Sequence, residues 1–258
     1  MRADTPVIAE AERADFYDGE SARSLAQTLG LPRVDLYATI SSTMDAAHAL
    51  GALGEAAGTL ILADRQTAGR GRKGKSWQSR PGAGIWLTLL ERPIDESGLA
   101  VLSLRAGIAA ARALDAFADD VVLLKWPNDL YVREGKVGGI LVEARWRAGR
   151  PDWVAIGIGV NVERPPGLAA AVGLRPGTTR LHVLAMLVPA VRAAVRSGPL
   201  DSAELVEYAQ RDFARGRRCS SPGEGVVEGV TPDGELAVRT PDGLVHHRAG
   251  SLILLEDR

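Results

Sequence analysis

The segment "TAGRGRKGKSW", Thr67 to Trp77, sets Arg70, Arg72, Lys73 and Lys75 among Gly69, Gly71 and Gly74. Glycines let a backbone fold closely around a ligand while guanidinium and ammonium groups neutralise it, so the chemistry on offer is capture of a phosphate or a carboxylate. From Gly69 to Ser76 the letters also satisfy G-x-x-x-x-G-K-[ST], in which backbone amides cradle nucleotide phosphates. Such a loop must lead straight into a helix whose N-terminal amides hold the anion. Here "WQSRPGAGIWLTLL" follows, and Pro81, Gly82 and Gly84 arrive before two helical turns could close. The apolar run that would end in a magnesium-binding acid, "VVLL", ends in Lys125 and Trp126. The sequence thus argues against a P-loop hydrolase and for an anion loop of another kind, with a solvated basic hairpin tip as the plain alternative.

The flanking elements must hold that loop. "GTLILAD" (58–64) and "GIWLTLLE" (84–91) are apolar runs of strand length, so the loop joins two strands. Upstream, "VDLYAT" (34–39) reads as a strand feeding, through "SST", a helix with Ala46, Ala47, Leu50 and Leu53 at helical spacing. Downstream come a long alanine-rich helix over 96–117, a strand over 120–126 and a Pro-Asn-Asp turn. Two further strands are expected over 136–146 and 152–162, their glycines marking close backbone approach. Helices are expected over 179–197 and 201–214, Pro189 kinking or dividing the first. From Gly216 onward short β-like runs alternate with glycine-rich turns, "TPDG" occurring twice, which reads as a small β-barrel. Residues 1–33 read as a polar, loosely attached lead-in with one short helix ending at Gly30.

Composition bounds the function. The 258 residues carry a net charge of −1, so the surface as a whole is not built for a polyanion such as DNA. Cys219 is the sole cysteine, so no intrachain disulfide or cysteine metal site can form. The N-terminus lacks the apolar run of a signal peptide or membrane span, and a cytoplasmic protein with no membrane partner is expected. His48, His182, His246 and His247 show no metal-ligand spacing, and no structural metal is expected.

Four segments taken together sharpen the reading: "SSTMDAA" (41–47), "RQTAGRGRKGKSW" (65–77), "KWPNDLY" with "KVGGILVE" (125–143), and "IGIGVNV" (156–162). In this order and spacing they resemble the catalytic domain of the biotin protein ligases, from about Val34 to the C-terminus. The resemblance implies an α+β fold, a mixed and mainly antiparallel sheet flanked by helices over 34–215, with a small SH3-like β-barrel over 216–258. It implies that biotin's carboxylate attacks the α-phosphorus of ATP to give biotinyl-5′-AMP, and that a lysine of the biotin carboxyl carrier protein of acetyl-CoA carboxylase then takes the biotinyl group. Residue by residue, it puts Ser42, Thr43, Met44 and Gln66 at biotin, and Arg70, Gly71 and Arg72 over the carboxylate and phosphate. Lys136, with Arg70, becomes the catalytic cation. Arg72, Lys73, Trp77, Asn128, Asp129 and Asn161 fall to the nucleotide, Asp129 also being the candidate for the Mg2+ that comes with ATP. Gly69, Gly138, Gly139, Gly157 and Gly159 lie beside the ligand.

Met44 departs from the family, whose tripeptide often ends in asparagine, so Asp45 or backbone groups are expected to supply the missing polar contact. Only about thirty residues precede Val34, so no DNA-binding domain and no repressor role are expected. Dimerisation through the central sheet is expected by analogy alone. A lipoate or octanoate ligase is the rival enzyme, and a non-catalytic module whose basic loop docks an acidic partner is the rival of another class. Without the resemblance, Trp77 and Trp126 read as core aromatics, "PND" as an ordinary turn and "IGIGVNV" as a strand bordering a bulge.

Overall fold

The apolar runs are buried on both faces, and alternate residues reach two different cores. The structure, a computed structural model, describes residues 11–92 and 95–255; the first ten residues of the lead-in and the last three of the C-terminal segment lie outside it. The chain begins with β1 (Glu12–Arg13), β2 (Phe16–Tyr17), β3 (Glu20–Ser21) and α1 (Ala22–Leu29). Then follow β4 (Arg33–Ile40), α2 (Thr43–Ala52), β5 (Thr59–Gln66), β6 (Gly84–Glu91) and α3 (Glu96–Asp115). The sheet is completed by β7 (Val122–Lys125), β8 (Asp129–Val132), β9 (Gly135–Arg147) and β10 (Arg150–Asn161). Its order is β1-β4-β5-β6-β10-β9-β8-β7, parallel only between β4 and β5. This is the mixed, mainly antiparallel sheet expected.

Leu60 and Leu62 of β5 and Ile156 and Ile158 of β10 join α3 and α4 (Arg180–Ala193) in the larger core. Their neighbours Ile61, Ala63 and Ala155 join α2 in a smaller one. Period-two alternation therefore puts α3 and α4 on one face of the sheet and α2 on the other. α3 is long and apolar enough to cross a membrane, but most of it is buried in this core. Of the kink or division expected at Pro189, division does not occur: α4 runs on through Pro189, and ends at Ala193 rather than continuing to 197.

The lead-in differs from loose attachment. Tyr17, Leu25, Leu29 and Leu31 belong to the large core, and Arg180 of α4 lies 4.2 Å over the Tyr17 ring while bonding Asp18 and Asp64. Two leucines one turn apart on α1, with Tyr17 before the helix and Leu31 after it, outweigh a polar composition, each fully buried side chain contributing about 1.5–3 kcal/mol.

After α5 (Ser202–Arg211) come β11 (Arg218–Ser221), β12 (Gly225–Val230), β13 (Leu236–Thr240), β14 (Gly243–His247) and β15 (Ile253–Leu254). They form an antiparallel sheet in the order β14-β13-β12-β11-β15, with β14 and β15 at its edges. Cys219, Val227, Leu236 and Val238 are continuous with the large core. Trp126 Nε1 donates to Gly234 O at 3.0 Å, pinning this sheet to the β7–β8 turn.

Asp212, between α5 and β11, uses one oxygen to accept from Ala214 N at 2.9 Å, while its other oxygen is buried without a partner. Burial pushes its carboxyl up to about 6. A raised carboxyl binds its proton more tightly folded than unfolded, so stability falls as pH rises from the ordinary value near 4 through 6. Asp212→Asn is expected to gain of the order of 1–2 kcal/mol at pH 8 and to lose that advantage at pH 4. Thermal melts at the two pH values check this, and equal shifts at both would contradict it.

Candidate active site

On the α2 face, β10 carries Gly157 and Gly159, two residues apart and therefore on the same side. In register, Gly157 stands opposite Thr88 of β6 and Leu141 of β9, and Gly159 opposite Trp86 and Gly139. The missing side chains leave a bare strip of sheet. A cavity of about 530 Å³ opens over it, lined from β6, β8, β9, β10, the start of α2, the 70–77 loop and the C-terminal sheet.

The Gly157 end is polar and uncharged. Ser42 caps α2, its Oγ accepting from Met44 N at 3.3 Å, which leaves the hydroxyl proton free. Gln66 Oε1 accepts from Thr43 N at 2.9 Å and from Thr43 Oγ1 at 3.1 Å. Thr43 has thereby spent its only proton, so at 2.9 Å it accepts from Thr88 Oγ1. Gln66 Nε2 donates to Ser79 Oγ at 3.0 Å. Met44 lies buried, its methyl group in the space a Cβ on Gly157 would need. Asp45, expected to compensate for Met44, does not line the cavity but pairs with Arg70. The additional hydroxyl at this end is Thr88, which sequence reasoning missed; its signal was a lone hydroxyl inside the apolar run "GIWLTLLE".

The Gly159 end is cationic. Trp77 lies against Gly159 and Gly139, where a Cβ would approach its ring to 2.5 Å and 3.3 Å. Lys136 Nζ sits 5.3 Å from the Trp77 ring and donates to Asp129 Oδ1 at 2.6 Å. Arg70, Arg72, Lys75, Lys125 and Lys136 line the cavity against one carboxylate, Asp129. Burial pulls the pKa values of both Arg72 and Lys125 down, Asp129 opposing. Lys125 and Tyr131, also missed, reach the site from the ends of the turn that "KWPNDLY" marks. Asn128 builds that turn, its Nδ2 donating to Ile140 O at 2.7 Å.

The loop closes as a small hairpin. Gly71 N donates to Lys75 O at 2.7 Å and Trp77 N to Gly69 O at 2.8 Å, and Lys73 and Gly74 make the tip at φ 55° and 71°. No helix follows Ser76, so the P-loop reading fails on geometry as it did on sequence. Lys73 is exposed and outside the cavity lining; Gly69 and Gly138 are buried but also outside it, and their missing side chains make room for Trp77 O and Gly159 O. Asn161 also stands outside it, donating to Lys136 O at 3.4 Å and Val172 O at 3.3 Å, so it steadies the backbone of Lys136. Ser251, Leu252 and Ile253 complete the wall from the far end of the chain, with no local signal to announce them.

A mixed sheet bearing a glycine strip, with a polar notch at one end and a cationic loop at the other, can seat a ligand that is uncharged at one end and anionic at the other. Residues 36–161 match the family described as the Biotin/lipoate A/B protein ligase family. A biotin–[acetyl-CoA-carboxylase] ligase of Paracoccus denitrificans is 32% identical over 209 residues, 71% of this chain and 85% of that protein. The bifunctional ligase/repressor BirA of Bacillus spizizenii is 42% identical over 126 residues, 48% of this chain and 39% of that protein. The chain spans 39% of the length of each of the first two curated relatives it matches. A biotin protein ligase from Aquifex aeolicus, in complex with biotin and ATP, superposes with a TM-score of 0.71 at 25% identity, covering 88% of this chain and all of that one. The chain belongs to the Biotin/lipoate A/B protein ligase family.

Proposed function

We propose that this chain is an ATP-dependent biotin ligase that forms biotinyl-5′-AMP and passes the biotinyl group to a lysine of the biotin carboxyl carrier protein of acetyl-CoA carboxylase. The observation that carries the reading is the division of one cavity into an uncharged hydrogen-bonding end at Thr43, Gln66 and Thr88 and a cationic end at Arg70, Arg72, Lys125 and Lys136. Biotin's ureido ring offers N–H donors and a carbonyl acceptor without charge, and the hydroxyl chain offers lone pairs while Ser42 keeps a proton to give. A lipoyl or octanoyl chain has no polar group to meet the free proton of buried Ser42, and an unanswered donor costs about 1–3 kcal/mol.

In the first step a carboxylate oxygen of biotin attacks the α-phosphorus of ATP, the bond to the β-phosphate oxygen breaks, and pyrophosphate leaves with the electron pair. Lys136, Arg70 and Arg72 stabilise the charge on the equatorial oxygens, and their partial burial strengthens that effect. In the second step the neutral amine of the carrier lysine attacks the acyl carbon, AMP leaves, and the lysine proton passes to solvent. Mg2+ fits this site as an ion brought by the triphosphate, because the one cavity carboxylate, Asp129, is already bound to Lys136 and offers a single protein ligand. Bound there, it would neutralise phosphate charge. The C-terminal sheet, as an SH3-like module, walls the cavity through Ser251–Ile253.

Pyrophosphate release is to be measured with biotin, lipoate or octanoate in turn, followed by the mass of a carrier domain. Release with biotin and a carrier heavier by one biotinyl group is expected; release with lipoate or octanoate alone would transfer the protein to the rival activity. Gly159→Ala places a methyl group 2.5 Å from the Trp77 ring, and is expected to raise the KM for ATP about tenfold as Trp77 is pushed into the cavity. An unchanged KM for ATP would remove the nucleotide from that end.

A further inference from the structure

Arg70 is held from behind by a chain of groups that runs into the protein interior. Its NH2 lies 3.0 Å from Asp45 Oδ1 and 3.2 Å from Glu143 Oε2. The same Glu143 oxygen lies 2.9 Å from His48 Nε2, and His48 Nδ1 faces Trp153 Nε1 at 3.1 Å. An indole N–H can only donate, so Nδ1 must be the bare acceptor nitrogen. The single proton of the imidazole therefore sits on Nε2 and is donated to Glu143. Trp153 thus fixes His48 as one neutral tautomer, and the burial that pulls its pKa down agrees with this. Trp153 fits because Gly51, one helical turn beyond His48 on α2, has no side chain; a Cβ there would stand 2.6 Å from the indole nitrogen.

Exposure rises along the chain, from 8% at Trp153 to side-chain values of 11% at His48, 25% at Glu143 and 36% at Arg70. Both carboxylates take the same guanidinium nitrogen. Among the described residues, Nε and NH1 of Arg70 have no protein acceptor, which leaves that edge for an anion in the cavity.

We infer that His48 is a positioning residue for Arg70. The neutral imidazole aims the Glu143 carboxylate, and Glu143 with Asp45 grips one end of the guanidinium so that the other edge meets the carboxylate to be activated. The identity of that carboxylate rests on the ligase reading; the grip on Arg70 does not.

The test compares the native chain with His48→Ala, His48→Gln and Trp153→Phe. Glutamine can reproduce both bonds, its amide N–H donating to Glu143 and its carbonyl accepting from Trp153. Alanine reproduces neither, and Trp153→Phe keeps the packing while removing only the indole donor. The first readout uses no ligand: the rate of trypsin cleavage after Arg70, followed by mass spectrometry. His48→Ala is expected to be cut about tenfold faster, the worth of one hydrogen bond to a charged group, with Trp153→Phe between it and the native chain and His48→Gln native-like. The second is kcat/KM for biotin in pyrophosphate release, expected to fall about tenfold in His48→Ala and to be restored in His48→Gln.

Circular dichroism establishes which variants are folded, and if His48→Ala is not, Trp153→Phe decides. Equal cleavage in native and folded variants, or a folded His48→Gln that behaves as His48→Ala does, overturns the inference. A native chain that releases no pyrophosphate with biotin overturns the proposed function instead, and the cleavage comparison still decides the grip on Arg70.

Discussion

Replacing Lys136 by alanine is expected to lower biotin-dependent pyrophosphate release by a factor of about 10²–10³ while the chain stays folded, the usual loss when one preorganised donor to developing charge is removed. Lys136 is placed by backbone rather than by loop motion. Its N–H donates to Ala170 O at 2.8 Å, its carbonyl accepts from Val172 N at 3.0 Å and from Asn161, and its ammonium is held at Asp129. Such a cation costs no reorganisation when charge builds on the phosphate, which is why its deletion should act on kcat more than on KM. Asp129 would lose its partner but is partly exposed and can be solvated, so little stability should be lost with it. A rate within threefold of native would show that the catalytic charge comes from Arg72 and Lys125 instead.

Arg105→Ala is expected to cost about 3–5 kcal/mol of stability, the toll of removing the buried half of an ion pair together with the donors to three carbonyls, although Glu204 keeps Arg196 NH2 at 2.8 Å. Arg105 of α3 is 2% exposed, and its Nε bonds Glu204 Oε1 at 2.7 Å. Its other nitrogens reach the carbonyls of Arg196, Gly198 and Pro199, closing the turn between α4 and α5. Burial raises the pKa of Glu204, but its bonds to Arg105 and to the Asp201 amide outweigh that and hold it below the usual range. The contribution is therefore fully present above the ordinary glutamate value and is lost as pH falls through the lowered one. Urea melts at pH 7 measure the loss, and a cost below 1 kcal/mol would mean that the helix turn is held by other contacts.

Most of the sheet was legible because its strands are apolar runs bounded by glycine and proline, and the site was legible where its residues cluster in short segments. "SST", the arginine loop and "KWPND" each bring their groups to the cavity within a few residues. Contacts across long stretches of chain were not legible. Trp126 and Gly234 are 108 residues apart, and neither segment carries a period or a charge pattern that names the other. Thr88 could be seen as odd, but not as the partner of Thr43. The attachment of the lead-in was misjudged because composition was weighed over spacing, and the leucine pair of α1 is a spacing signal. The wall at Ser251–Ile253 follows from how β15 lies beside β11, which is decided only when the small sheet assembles.

The large core runs without a break from Leu36 and Leu114 through Tyr208 to Val227, Val238 and Leu252. The five-stranded sheet is therefore expected not to melt by itself, because its inner face is the same apolar mass that supports the eight-stranded one. The two sheets are expected to unfold as one cooperative unit, from which the cavity between them would draw its stability. A substitution in β12 or β13 that touches no ligand would loosen the Trp126 turn as surely as one made beside it.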